Sequence, residues 1–93
     1  HSPARTPHAH ASCGPLVWLI DDCAMARRLC ERRLLQAGAV VTSFVDSAAA
    51  LHALAAASPH ICLVDVHLEH ETGLRAAANL RTAGFRGMLA FLT

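Results

Sequence analysis

Leu16-Val17-Trp18-Leu19-Ile20-Asp21-Asp22 is the stretch from which the rest of the chain is read. An unbroken apolar run of this length suits a strand buried on both faces of a parallel sheet; a half-exposed strand would alternate with polar residues. The run stops abruptly at two acids. The same event recurs at Ile61-Cys62-Leu63-Val64, which closes on Asp65. Between the two, Ala26, Leu29, Cys30, Leu34 and Ala37 form one stripe, with Arg27, Arg28, Glu31 and Arg32 turned away. This spacing predicts a helix over 24–37, and Gly38 stands where a left-handed cap is wanted. Residues 39–44 read as a second strand, with Val40, Val41 and Phe44 as its apolar content. Asp46-Ser47 offers an N-cap for a helix over 47–57, ended by Ser58-Pro59. After Asp65 a loop leads to Gly73, a helix over 74–83, a capping Gly84, and a strand over 87–92 that ends at Thr93. The order is βαβαβαβ. It predicts right-handed crossovers and a parallel sheet with helices on both faces.

Composition narrows the function. A chain of 93 residues and 9.9 kDa holds one small domain. Hydrophobic residues make up 54%, but many are alanine, and the aromatic residues are only Trp18, Phe44, Phe85 and Phe91. A net charge of +1 implies neither a basic field for nucleic acid nor an acidic tail. All eight basic residues are arginine, which excludes Schiff-base or phosphate-binding lysine chemistry from this chain. No apolar run reaches the ~18–20 residues of a membrane helix, and nothing before Pro15 resembles the core of a signal peptide. Residues 1–15 contain three prolines and no periodicity, so they read as a linker or tail. His1, His8 and His10 fit a solvated tail better than a metal site, because their spacing specifies no ligand geometry. A start at His1 reads as a processed, internal or excised piece. Cys13, Cys23, Cys30 and Cys62 lack CxxC spacing, and free thiols in a reducing cytoplasm are expected.

In an open parallel sheet, ligands gather at the carboxyl ends of the strands. Here those ends carry Asp21 and Asp22, then Asp65, then Thr93. If the strands are neighbours, three carboxylates and a hydroxyl meet. Such carboxylates repel one another unless a cation lies between them, and the chain has no lysine for the purpose. A hard divalent ion such as Mg²⁺ answers this, and it points to phosphoryl chemistry with an aspartate as acceptor. A plain capping role suits Asp22 taken alone; it does not account for two apolar strands that both end in acids.

From Leu16 onward the chain resembles the receiver domain of two-component response regulators and hybrid histidine kinases. The resemblance rests on Leu19-Ile20-Asp21-Asp22, on Arg27-Arg28-Leu29 and Leu34 through Gly38, on Leu63-Val64-Asp65-Val66-His67-Leu68, on Gly73-Leu74, and on Phe91-Leu92-Thr93, in that order and at the family's intervals. It implies a flavodoxin-like, doubly wound α/β fold over residues 16–93 with strand order 2-1-3-4. It implies that Asp65 accepts a phosphoryl group from a phosphohistidine on a histidine kinase or phosphotransfer protein. Asp22, Asp65 and the His67 backbone carbonyl would bind Mg²⁺, Asp21 would act through a water, and Thr93 would hydrogen-bond the phosphoryl group and move inward.

The chain also departs from the family. Glu69 stands where a proline is usual, in a polar loop with His67 and His70 that reads as exposed. The family continues with a fourth helix, a fifth strand bearing a lysine and a fifth helix, none of which this sequence contains. A bare fourth strand would invite a homodimer or a domain swap. The resemblance implies a signalling module rather than an enzyme, though one with possible self-catalysed phosphotransfer and dephosphorylation, inside a hybrid kinase or a regulator with an effector. It implies no membrane insertion by this segment and no direct nucleic-acid binding. It leaves open a degenerate receiver used only for protein contact. A DxD-type phosphatase is disfavoured, because His67 stands where that chemistry needs an acid.

Overall fold

The computed structural model describes residues 14–93. Its elements are β1 (Leu16–Ile20), α1 (Ala24–Gln36), β2 (Val40–Phe44), α2 (Ser47–Leu54), β3 (Ile61–Asp65), α3 (Gly73–Thr82) and β4 (Met88–Leu92). His1, His8, His10 and Cys13, with most of the expected tail, lie outside the described residues. The four strands form one sheet in the order β2-β1-β3-β4, and every pairing is parallel. This is the expected receiver order. It places the ends of β1, β3 and β4 side by side.

The register decides which side chains share a face. Ile20 lies opposite Phe44 and Val64, and Val64 lies opposite Phe91. Trp18, Ile20, Cys62 and Val64 point to one face, where Ala50 of α2, Ala76 and Leu80 of α3, and Phe85 close over them as the core. Trp18 is buried and meets the Phe44 ring edge-on at 4.9 Å, so it serves packing, as expected. Burial pushes the Cys62 thiol up to about 11, which leaves it a small hydrophobe. Cys23, Cys30 and Cys62 are all free.

The other face carries α1, packed over β2 and β1 and shielding Val17 and Leu19. Here the expected stripe is only partly realised. No residue of α1 is fully buried, and Leu29 remains 53% exposed. Among the described residues no second helix lies beside α1, so the outer half of its apolar stripe has nothing to pack against. The helix α2 stops at Leu54 rather than near residue 57, because the alanines that follow offer no large side chain to dock. Gly38 and Gly84 both adopt positive φ, at 94° and 104°, as expected of helix caps. Arg81 then fixes the turn into β4. Its guanidinium donates to the carbonyls of Phe85 and Gly87 and lies 5.2 Å from the centre of the Phe85 ring.

Candidate functional site

At the end of β1 the ladder continues for one more residue, the Asp21 amide donating to the Phe44 carbonyl at 3.0 Å. The chain then turns into α1. Cys23 N–H donates to Asp21 Oδ1 at 2.9 Å, and the Arg27 guanidinium donates to the Asp21 carbonyl at 2.8 Å. Asp21 is therefore clamped on both sides of its own turn and is only 4% exposed. Asp22, next in the chain, faces the loop after β3 and accepts a hydrogen bond from Glu69 N–H.

Asp65 is the last residue of β3 and lies opposite Leu92 of β4. The backbone just beyond is fixed by Val66 N–H donating to the Leu92 carbonyl, and His67 N–H donates to Asp65 Oδ1, each at 3.0 Å. The loop then returns so tightly that a Cβ at Gly73 would lie 2.4 Å from the Asp65 carbonyl oxygen. Only glycine fits there. Thr72 caps α3 by accepting from Arg75 N–H, and Glu71 accepts from Ser47 at the start of α2.

These supports bring together an oxygen from each of Asp21, Asp22 and Asp65, all within 4.8 Å of one another. The expected convergence of three carboxylates is found. Burial raises the Asp21 pKa above the usual carboxylate range; the charges of Asp65 and Asp22 add to this, and the Cys23 amide opposes it. The donor set is all hard oxygen, with an excess of negative charge in a small space, and it fits a divalent cation such as Mg²⁺. A cleft of about 560 Å³ opens beside the carboxylates. Asp21, Asp65, His67 and Thr93 line it, together with Leu29, Cys30 and Arg33 of α1. Thr93 thus shares a cleft with Asp65. The side chains of His67 and His70 are exposed, and His70 lies 3.6 Å from the Glu69 carboxylate, a solvated pair that contributes little.

Sequence reading missed several supports. Arg27 on the Asp21 carbonyl, Glu71 on Ser47 and Glu69 N–H on Asp22 are contacts between separate loops or turns, which local patterns do not reveal. The Thr72 cap was legible, since a threonine before a helical run is a start signal.

The transcriptional regulator NtrC of Escherichia coli (strain K12) is 37% identical over 59 residues, which are 63% of this chain and 13% of NtrC. The chain therefore spans a small part of that relative. Among solved structures, the beryllofluoride-activated NtrC receiver domain superposes with a TM-score of 0.73 at 28% identity, covering 85% of this chain and 64% of that one. Full-length ShkA in complex with AMPPNP gives a TM-score of 0.78 at 26% identity, covering 97% of this chain and 20% of that one. Residues 17–93, nearly all of the described chain, match the family model of the response regulator receiver domain. The chain belongs to the response regulator receiver domain family.

Proposed function

We propose that this chain accepts a phosphoryl group on Asp65 from a phosphohistidine of a histidine kinase or phosphotransfer partner, and that the change alters its contacts with other proteins. The observation that carries this reading is the convergence of Asp21, Asp22 and Asp65 at the ends of adjacent parallel strands. Asp65 is the acceptor in this reading because, of the two aspartates that line the cleft with Thr93, it is the more exposed, whereas Asp21 is buried. His67 N–H holds Oδ1, which leaves Oδ2 to attack. The new bond joins Oδ2 to phosphorus as the bond from phosphorus to the donor imidazole nitrogen breaks. The imidazole leaves with that electron pair and later takes up a proton. The chain's own part is positioning: the amides of Cys23, His67 and Glu69 fix the carboxylates, and the Thr93 hydroxyl donates to a phosphoryl oxygen.

Asp22, Asp65 and the His67 backbone carbonyl would hold Mg²⁺, with Asp21 acting through a water; when bound, the ion neutralises the carboxylates and the phosphoryl oxygens. The same reading puts the protein in the cytoplasm, as part of a longer signalling protein. It assigns this segment no contact with nucleic acid and no membrane insertion. Among the described residues no helix is long and apolar enough to cross a membrane. Among the described residues no strand pairs with the outer edge of β4, which supports pairing with a second copy or another chain.

Incubation with Mg²⁺ and acetyl phosphate tests the central claim. An acid-stable, base-labile adduct is expected on the wild-type protein and not on Asp65→Asn. A wild-type protein that stays unmodified, yet is folded and binds Mg²⁺, would favour a degenerate receiver that works only through protein contact.

A further inference from the structure

Each carboxylate of the cluster accepts one backbone N–H. For Asp21 the donor is Cys23 and for Asp65 it is His67, each two residues along the chain. Such bonds are local turns that an aspartate forms with its own segment. Asp22 differs. Its donor is Glu69, 47 residues away, in the loop that follows the acceptor strand. This hydrogen bond ties the turn after β1 to the loop after β3.

Three carboxylate oxygens held within 4.8 Å of one another repel. Left to themselves, the more exposed carboxylates would swing apart into solvent. Asp22 nevertheless contributes an oxygen to the cluster within 4.8 Å of the others while Glu69 N–H holds its Oδ2. The bond and the convergence coexist. Proline, the residue usual at this position in the resembling family, has no N–H and cannot make this contact.

We propose that the Glu69 backbone amide is a positioning group for cation binding, holding Asp22 in its ligating pose. The proposal rests on the reading of the cluster as a divalent-cation site. An outer donor that orients a ligating carboxylate raises metal affinity by sparing the ion the cost of ordering it. Linkage requires the converse as well: the bound ion must strengthen the contact between Asp22 and Glu69.

The test uses the full chain and Mg²⁺ alone, with affinity measured by calorimetry. Glu69→Pro removes the N–H and the side-chain charge; Glu69→Ala removes only the charge. The two variants therefore differ in the donor. Glu69→Ala is expected to bind Mg²⁺ about three- to tenfold more tightly than Glu69→Pro. Circular dichroism of both variants checks the fold. A second readout needs no substitution: Mg²⁺ is expected to slow hydrogen exchange at the wild-type Glu69 amide. Equal affinities of the two folded variants, or tighter binding by Glu69→Pro, would overturn the proposal. So would faster or unchanged exchange at that amide in the presence of bound Mg²⁺. If the wild type binds no Mg²⁺, the cation-site reading itself falls and the positioning role falls with it. Loss of Mg²⁺ binding in Asp22→Ala and Asp65→Ala, with equal affinity in the two Glu69 variants, would leave the site standing and remove only the role of the amide.

Discussion

Asp21 shows what a single residue costs and supplies in this fold. Its carboxyl group is buried beside two others, so its charged form is disfavoured. A carboxylate with a folded pKa above its unfolded value stabilises the fold below the unfolded pKa, and that contribution is lost as pH rises through the folded pKa. In the cation-free protein this contribution from Asp21 is thus expected to fade as pH rises above the ordinary carboxylate range. Asp21→Asn keeps an acceptor for Cys23 N–H and removes the charge. In metal-free buffer at pH 7 it is expected to stabilise the protein and raise its melting temperature. Thermal unfolding followed by circular dichroism at pH 4 and pH 7 measures this, and an equal gain at both values would rule out the charge as its source. The price of the improvement is expected in binding, since added Mg²⁺ should stabilise the wild type more than the variant.

Individual elements carry the site by where they stop. The apolar runs of β1 and β3 end at their acids, and parallel pairing sets those ends next to each other. The start of α3 is equally constrained, because Gly73 lies against the backbone of Asp65 and Val66. A methyl group there meets main chain, which has little room to yield. Gly73→Ala is expected to cost about 2 kcal/mol in denaturant unfolding and to lower the rate of adduct formation at the proposed acceptor Asp65, since relief of the clash must shift the Asp65–Val66 backbone. Wild-type stability in this variant would show that the approach is looser than the geometry implies. Helix α1 illustrates the reverse case. Its apolar stripe was legible at helical spacing, yet much of it stays exposed, because a sequence stripe records the capacity to pack and not the presence of a partner.

For the molecule as a whole, the decisive features are the open edges of the sheet. Among the described residues β4 pairs only with β3, and Met88 and Phe91 on it are 64% and 41% exposed. An apolar edge strand with free amides and carbonyls is a template for another strand. Sizing chromatography with light scattering is expected to show self-association that grows with protein concentration and is suppressed by Met88→Lys, whose charge blunts the edge. A monomer at every concentration would refute edge pairing.

Much of this molecule follows from its residues in order. The apolar runs, the acids that end them, the capping glycines and the alternation of periods specify a parallel α/β sheet and name Asp21, Asp22, Asp65 and Thr93 as residues at strand ends. These are local signals, set by burial periodicity and backbone preference, and both are written along the chain. The tertiary structure alone decided how far the carboxylates converge, that Asp21 is the buried one, that Gly73 abuts the Asp65 backbone, and that Glu69 N–H reaches Asp22 across 47 residues. Those facts depend on strand order and on loops meeting in space. No sequence period encodes such meetings, because their energy comes from groups that become neighbours only after the sheet has formed.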